Sequence, residues 1–278
     1  MEAFLETSVM IDLLFRGGRR RTVVLEALRA YESTCSSEYV KMEIKRGALN
    51  NYVLLYNKTI ELANISDVGE YVARFASGPK RNTLGTMLGA MNDFQRAAET
   101  GLGRKFGEGP ASKNGTKILA SFLRLRILGF WKAFERALNR IVNDVECYTN
   151  IYRLPPPYLK KETEIIDNKL QNCDHYKPGI CRIGEFLSKN AEPYHAIRLA
   201  LEKIDKPDGE TSKRVSSIRR TFRRLDRMVL RKQCWEIGDG VIVVECPPSA
   251  CLLTKNEKHF APMCKALGRA FEIVRDKA

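Results

Sequence analysis

Residues 234–260 read CWEIGDGVIVVECPPSACLLTKNEKHF and contain two apolar runs separated by a pair of prolines. The first run follows Asp239, and its four β-branched residues favour a strand by local propensity. The second run predicts a buried strand that ends at Thr254, with Asn256 and Glu257 directly beyond it. Because open α/β folds place their sites at the carboxyl edge of the sheet, this stretch predicts a polar site there.

A second acidic stretch near the start of the chain has a related form. Residues 3–6 are short and apolar and end at Glu6, after which Thr7 and Ser8 can cap an amphipathic helix. Residues 33–37 have the pattern of another strand, and the helix predicted after them carries Glu43. Each acid alone is more typical of a surface carboxylate. Together with Asp239, they predict that the two ends of the chain fold into one acidic, metal-binding site.

The composition is that of a globular and strongly basic protein. Of the 278 residues 44% are apolar, enough for a core in one large or two ordinary domains. The net charge of +14 predicts affinity for polyanions, most often nucleic acid, with a merely basic surface as the alternative. No run of about 20 apolar residues and no leader pattern occurs, so we expect a cytoplasmic protein without membrane contact. In that compartment the eight cysteines are thiols, metal ligands or buried apolar groups.

The middle of the chain has the periodicity of helices. Apolar residues recur every three or four positions in 52–75, 84–100 and 116–147, without strand-like alternation. Further helices are predicted near 160–170, 181–189 and 191–203. We therefore divide the chain into an α/β part at 1–50, a helical segment at 51–232 and a second α/β part at 233–278.

Residues 211–232 predict an amphipathic helix with one strongly basic face. The segment has nine Lys or Arg residues against the single acid Asp226, so internal salt bridges do not account for the charge. A solvated face is the alternative, but arginine side chains suit phosphate oxygens, and we favour nucleic-acid binding. At about 100° per residue, one side of this helix carries Arg219, Arg220, Arg223, Arg224, Arg227 and Arg231.

Four short motifs give the chain a resemblance to the PIN-domain nuclease family, closest to its VapC-like toxin branch. The first family motif, D-T-S/N-x-x-I-D-x-L, is matched by ETSVMIDLL at 6–14. The second, a glutamate early in a helix, is matched by VKMEI at 40–44. The third, D-x-x-I, is matched by DGVI at 239–242. The fourth, T-x-D/N followed by a basic residue, an aromatic residue and a proline, is matched by TKNEKHFAP at 254–262.

The resemblance implies a parallel sheet flanked by helices, with a helix after Asp239 and with residues 51–232 as a large helical insertion. It also implies a divalent-metal-dependent endoribonuclease, in which Mg²⁺ or Mn²⁺ activates a water for attack on an RNA phosphodiester. The implied catalytic residues are Glu6, Glu43, Asp239 and Asn256. The implied metal-binding residues are Glu6, Glu43, Asp239 and Glu257.

Alternatives to this function stay open. Glu6 stands where the family has an aspartate, and its extra methylene moves the carboxylate by about 1.5 Å. The alternative is a catalytically degenerate PIN-like protein that acts as an RNA-binding or protein-interaction scaffold. The partner implied by the resemblance is single-stranded RNA, with an antitoxin-like protein inhibitor and a homodimer left open.

A structural zinc site is a further hypothesis. Its candidate ligands are Cys173, His175 and Cys181, with Cys147 as a fourth. Their spacing fits no common zinc module, so unrelated buried thiols are the favoured interpretation. His259 is expected to be a polar residue at the end of a strand and not a general base. Four cysteines lie among apolar residues and are predicted to be in the core: Cys234, Cys246, Cys251 and Cys264.

Overall fold

A five-stranded, all-parallel sheet forms the centre of the computed structural model. The structure describes residues 1–76, 81–99, 114–146, 181–223 and 231–275. The strand order is β3-β2-β1-β4-β5. The strands are β1 (Glu2–Leu5), β2 (Ser33–Ser37), β3 (Arg140–Val142), β4 (Ala250–Thr254) and β5 (Phe271–Ile273). With helices around this sheet, the α/β class predicted from the sequence is confirmed.

The central strands come from opposite ends of the chain. Ala3 of β1 pairs with Cys251 of β4, and Phe4 pairs with Leu252. Every residue of β4 is buried, as are Ala3, Phe4 and Leu5. A strand in the middle of a parallel sheet is covered on both faces, which explains these continuous apolar runs.

Several of the helices begin directly after a residue whose side chain caps them. In chain order they are α1 (Thr7–Phe15), α2 (Arg19–Leu28), α3 (Glu38–Ile44), α4 (Asn50–Glu61), α5 (Ile65–Ala73), α6 (Arg81–Ala97), α7 (Gly115–Arg136), α8 (Ile183–Lys189), α9 (Ala191–Glu202), α10 (Gly209–Phe222), α11 (Arg231–Glu236), α12 (Gly238–Glu245) and α13 (Glu257–Ala266). The Ser37 hydroxyl caps α3 by accepting a hydrogen bond from Val40 N at 3.2 Å. The predicted cap of α1 was wrong by a residue, because Glu6 itself caps that helix.

A π-helical turn, Lys45–Leu49, joins α3 to α4. No strand or extended residue separates the three pieces, so the chain is helical from Glu38 to Glu61. A π-turn adds a residue to the helical register, and such turns occur frequently at functional sites. Glu43 lies two residues before this irregular turn.

The middle segment departs from the purely helical prediction in three places. The helix predicted at 52–75 is two helices, because Asn64 caps α5 through Asp67 N at 2.9 Å. The helix predicted at 116–147 ends at Arg136 and is followed by β3, which pairs with β2. The helix predicted at 211–232 ends at Phe222, and residues 224–230 lie outside the described residues. The helix near 160–170 also lies outside them.

Asn139 sets the start of β3. Its side-chain oxygen accepts a hydrogen bond from Thr34 N at 2.8 Å, and its own N–H donates to Thr34 O at 2.8 Å. This pair extends the ladder by one position before the strand itself begins. The strand lies within residues 51–232, so that segment contributes to the sheet, and the three-part division of the chain stays a prediction.

Residues after Asp239 form a helix, α12, although their propensity favours a strand. The three residues Val241, Ile242 and Val243 are fully buried. Burial of such residues outweighs a propensity difference of a few tenths of a kcal/mol, roughly the cost of a β-branched residue in a helix. A helix after Asp239 is also what the resemblance to PIN-domain nucleases implies.

The middle segment and the ends of the chain share one hydrophobic core. Phe130 of α7 lies 5.5 Å, ring centre to ring centre, from Phe15 of α1. The Tyr52 hydroxyl of α4 donates to Phe15 O at 3.0 Å. The predicted core cysteines at 234, 246, 251 and 264 are all buried. In the part of the chain that the structure describes, no helix combines the length and apolar character needed to cross a membrane.

Candidate acidic site at the carboxyl edge of the sheet

The carboxyl ends of β1 and β4 meet where the strand order reverses. From β1 the chain continues to β2 on one side, whereas β4 lies on the other side. Glu6 follows β1, and its N–H donates to Leu253 O of β4 at 3.2 Å. Thr254 ends β4, and Asn256 follows it. In open α/β sheets, ligands bind in the crevice at this kind of switch point.

Glu6 is buried and fully hydrogen-bonded. One carboxylate oxygen, Oε2, accepts from Ser8 N at 2.7 Å. The other, Oε1, accepts from the Ser8 hydroxyl, from Thr254 Oγ1 at 3.1 Å and from Lys255 N at 3.3 Å. Burial raises the pKa of Glu6, and these donors act against that rise. The carboxylate therefore connects β1, the first turn of α1 and the end of β4.

Glu43 reaches the same place from α3. Its Oε2 accepts a hydrogen bond from the Thr7 hydroxyl of α1. Burial raises the pKa of Glu43 to about 8, and the negative charges of Asp239 and Glu6 add to the rise. Glu6, Glu43 and Asp239 therefore lie close enough to repel one another, and the three predicted acids form one cluster.

Gly238 allows α12 to begin directly beside Glu43. A methyl group at this position would lie 2.5 Å from Glu43 Oε1 and 2.9 Å from the Tyr39 hydroxyl. Any side chain at residue 238 would thus displace the acid. Glycine at this position lets Asp239, in the first turn of α12, approach Glu43.

Asp239 has two cationic or ionisable neighbours. Arg214 of α10 forms an ion pair with Oδ2 of Asp239. The ring nitrogen Nδ1 of His259 lies 3.3 Å from the same oxygen and 2.9 Å from Asn256 Nδ2. His259 lies in the first turn of α13, so its predicted position at a strand end was wrong.

Arg214 pairs with Asp239 and lines the pocket, but it was not among the site residues predicted from the sequence. The arginines predicted to bind nucleic acid lie on the side of the predicted helix opposite its apolar residues. At about 100° per residue, Arg214 instead falls on the side of Ile218 and Phe222. An arginine on the buried side of an amphipathic helix was the signal available in the sequence.

A pocket of about 1020 Å³ lies beside the acidic cluster. Glu43, Asp239, Asn256 and His259 line one part of it. The wall contributed by the middle segment includes Leu54, Phe75, Thr83, Thr86, Lys213 and Arg214. The pocket therefore lies between the two ends of the chain and the helices of the middle.

Another part of the pocket wall combines basic residues with an aromatic ring. Arg16, Arg20 and Arg46 line it together with Trp235. Trp235 is 51% exposed, and the guanidinium carbon of Arg46 lies 4.6 Å from the centre of its ring. Such an aromatic and basic surface suits a nucleobase and a phosphate backbone.

Glu257, the other candidate metal ligand, does not line the pocket. Its carboxylate forms an ion pair with Arg275. Asn256 caps α13 by accepting from His259 N at 3.4 Å, and it does line the pocket. Of the two residues expected to complete the acidic site, Asn256 is the one that faces the cluster.

The predicted basic face is only partly described. Arg219, Arg220 and Arg223 are exposed on α10 or at its end, and none of them lines the pocket. Arg219 pairs with Glu202 at 3.0 Å, and Arg220 pairs with Glu236 at 3.4 Å. Arg224 and Arg227 lie outside the described residues, as does the side chain of Arg231. A role of this face in binding RNA stays a prediction.

The oxygen ligands in the pocket suit a hard divalent cation such as Mg²⁺ or Mn²⁺. Burial is the main cause of the raised pKa of Glu43 and repulsion from Asp239 adds to it; a cation between the two carboxylates would act against both effects. The fit of Glu6 is poorer, since both its oxygens already accept hydrogen bonds. Within the described ranges, no group of three or more His, Cys, Asp or Glu side chains has metal-binding geometry. Of the candidate zinc ligands, Cys181 is described and partly buried, whereas Cys147, Cys173 and His175 lie outside the described residues.

No protein-family model, curated protein or solved structure matches the chain.

Proposed function

We propose that the chain is a Mg²⁺- or Mn²⁺-dependent endoribonuclease with a PIN-like core. The observation that supports it is the convergence of Glu6, Glu43 and Asp239 at the switch point between β1 and β4. These acids come from stretches 233 residues apart and follow the order of the motifs in the resembled family. Hydrolysis joins the oxygen of water to phosphorus, breaks one P–O ester bond and gives a proton of that water to the leaving ribose oxygen.

Glu43 and Asp239 are the residues that would hold the cation, with the Asn256 side chain beside them. A bound divalent cation supplies a more acidic water nucleophile and positive charge against the phosphate oxygens. Thr7 orients Glu43 through its hydroxyl, and Gly238 leaves room for that carboxylate. Glu6 has a positioning role, because its hydrogen bonds hold the first turn of α1 against β4.

The proposed substrate is single-stranded RNA. The exposed face of Trp235 offers a surface on which a base can stack, an interaction worth about 1–3 kcal/mol per base in other proteins. Arg16, Arg20 and Arg46 provide positive charge for the phosphates on the same wall. A double helix would bury its bases and leave Trp235 without a partner.

A second candidate is an RNA-binding protein that does not cut. Arg214 already neutralises Asp239, and Glu6 is satisfied by hydrogen-bond donors. A site neutralised by its own side chains can hold RNA without a metal ion. This candidate keeps the pocket and the basic wall but not the hydrolytic step.

The two candidates differ in a cleavage assay with a fluorescent single-stranded RNA in Mn²⁺. We expect cleavage by the unaltered chain and at least about a 100-fold loss in Asp239→Asn, since a misplaced or missing ligand costs that much. Glu185→Gln is the matched control, because it also removes a carboxylate paired with an arginine and lies away from the pocket. If the unaltered chain binds the RNA but cuts it in neither Mg²⁺ nor Mn²⁺, the binding-only function replaces the nuclease.

A further inference from the structure

Arg214 has more hydrogen-bonding capacity than its surroundings use. The residue is 7% exposed, and its Nη2 atom pairs with Asp239 Oδ2. Its Nε and Nη1 atoms are buried without a hydrogen-bond partner among the described residues. A guanidinium carries five N–H donors, and leaving such donors buried and unsatisfied is unfavourable. The side chain therefore has donors available for a further acceptor.

An acceptor bound in the pocket would lie next to the Arg214 side chain. Arg214 lines the pocket beside Glu43, Asp239 and Asn256. Glu210, in the first turn of α10, is 72% exposed at its side chain and pairs with His259 at 3.2 Å. The Glu210 carboxylate therefore points to His259. Among the described residues, no atom accepts a hydrogen bond from Nε or Nη1 of Arg214.

We propose that Arg214 binds a phosphodiester of the RNA directly beside the acidic cluster, an inference that rests on the proposed function. The planar fork of an arginine can bond two phosphate oxygens at once, whereas a lysine offers a single point of charge. Asp239 fixes the orientation of the guanidinium through one N–H of Nη2, and the phosphate bonds the edge formed by Nη1 and the second N–H of Nη2. Arg214 thereby sets which phosphate of the strand lies next to Glu43 and Asp239.

The helix that carries Arg214 is held in position by polar contacts at both ends. Asp208 caps α10 through Thr211 N at 2.7 Å and pairs with Lys258 of α13 at 2.8 Å. Toward the other end, the Ser217 hydroxyl donates to Glu236 of α11. A guanidinium on a fixed helix loses little freedom when it binds, which favours recognition at a defined position.

Binding without cleavage provides the test. Fluorescence anisotropy of a 5′-fluorescein-labelled ten-nucleotide oligouridylate is measured in EDTA at low salt. We expect Arg214→Gln to weaken binding about tenfold or more, since a hydrogen bond to a charged group contributes about 1.5–3 kcal/mol. Arg214→Lys should recover part of the affinity at most. Arg198→Gln, which removes a paired arginine of α9 away from the pocket, should bind like the unaltered chain.

A double substitution separates phosphate binding from a merely structural role. Arg214→Gln leaves Asp239 without its partner, so Asp239→Asn is combined with it to remove that uncompensated charge. If Arg214 binds phosphate, the affinity of the double variant stays well below that of Asp239→Asn alone. Equal affinities of these two proteins would overturn the proposal. The assay measures binding and does not need hydrolysis. It therefore tests phosphate binding by Arg214 even if the protein does not cut RNA.

Discussion

The absence of a side chain at Gly238 leaves room for the Glu43 carboxylate in the acidic site. Replacing it with alanine places a methyl group 2.5 Å from Glu43 Oε1 and 2.9 Å from the Tyr39 hydroxyl. We expect Gly238→Ala to displace Glu43 and to reduce Mn²⁺-dependent RNA cleavage by about tenfold or more. We also expect a loss of unfolding free energy of about 1–3 kcal/mol from overpacking. Cleavage rates and urea unfolding measure the two effects.

Gly184→Ala is the matched control for that substitution. Gly184 lies in α8, where an added methyl group meets nothing within 4 Å. Alanine is favoured over glycine in a helix by about 1 kcal/mol, so this variant should be as stable as the unaltered chain or more so. Equal cleavage rates for the two glycine variants would show that Gly238 does not constrain the acid.

Glu245 makes stability depend on pH at a position away from the pocket. It is 2% exposed, Val145 N donates to it at 3.2 Å, and burial raises its pKa from 4.5 to about 8. The folded state therefore binds more protons than the unfolded state, and the contribution of Glu245 to stability falls as pH rises from about 4.5 to about 8. Glu245→Gln should remove this loss.

Urea unfolding at two pH values tests the effect. Between pH 5 and pH 8, the stability of Glu245→Gln relative to the unaltered chain should improve by on the order of 3 kcal/mol. Other buried acids, such as Glu43, titrate in both proteins and cancel in the comparison. Parallel loss of stability in the two proteins would mean that Glu245 is not held neutral in the fold.

At the scale of elements, the sequence predicted the parts whose signals are local. The strands at 2–5 and 250–254 contain continuous apolar runs at 3–5 and 250–253, and Ser37 is an evident helix cap. The resemblance then selected Glu6, Glu43 and Asp239 for the site. Arg214 was not predicted, because which helix covers an edge of the sheet depends on packing between distant parts of the chain.

The spacing of apolar residues in the sequence does not reveal a short edge strand such as β3. It has three residues and follows the long helix α7 directly, so any window that covers it is dominated by helical spacing. Its strand character comes from pairing with β2, which is a tertiary contact. Local propensity likewise failed for α12, where burial decided the conformation.

The side chain of Asn139 should control how firmly β3 is attached. Asn139→Ala removes the acceptor of Thr34 N, and we expect a loss of unfolding free energy of about 1 kcal/mol. Hydrogen exchange of the Thr34 amide should become faster in the same variant. Asn139→Asp keeps the acceptor oxygen, so its Thr34 amide should exchange nearly as slowly as in the unaltered chain. Similar exchange in both variants would rule out the side chain as the anchor.

At the scale of the whole molecule, the net charge of +14 is consistent with RNA as partner but does not locate it. The pocket has five Lys or Arg residues on its wall: Arg16, Arg20, Arg46, Lys213 and Arg214. If each neutralises one phosphate, log affinity should fall with log salt at a slope of about −3.5. Affinity for single-stranded RNA should then decrease about 100-fold between 50 and 200 mM salt.

The same titration tests the predicted basic face. A slope distinctly steeper than that of the pocket alone would mean that Arg219, Arg220 and Arg223 also contact the strand. In that case, changing all three to glutamine should return the slope to about −3.5. An unchanged slope in the triple variant would leave these arginines as a solvated face, and a slope near zero would exclude RNA as an ionic partner.

The pairing of β1 with β4 also has a consequence for the newborn chain. A ribosome makes Glu6 and Glu43 long before Asp239, and β1 must wait for β4, which begins at Ala250, to complete its pairing. Contacts so distant in sequence form late and slowly, because the intervening loop must close first. A chain whose synthesis has not yet passed Thr254 therefore lacks an assembled acidic cluster. If the protein cuts RNA, a nascent chain that has not reached β4 cannot cut the messenger that encodes it.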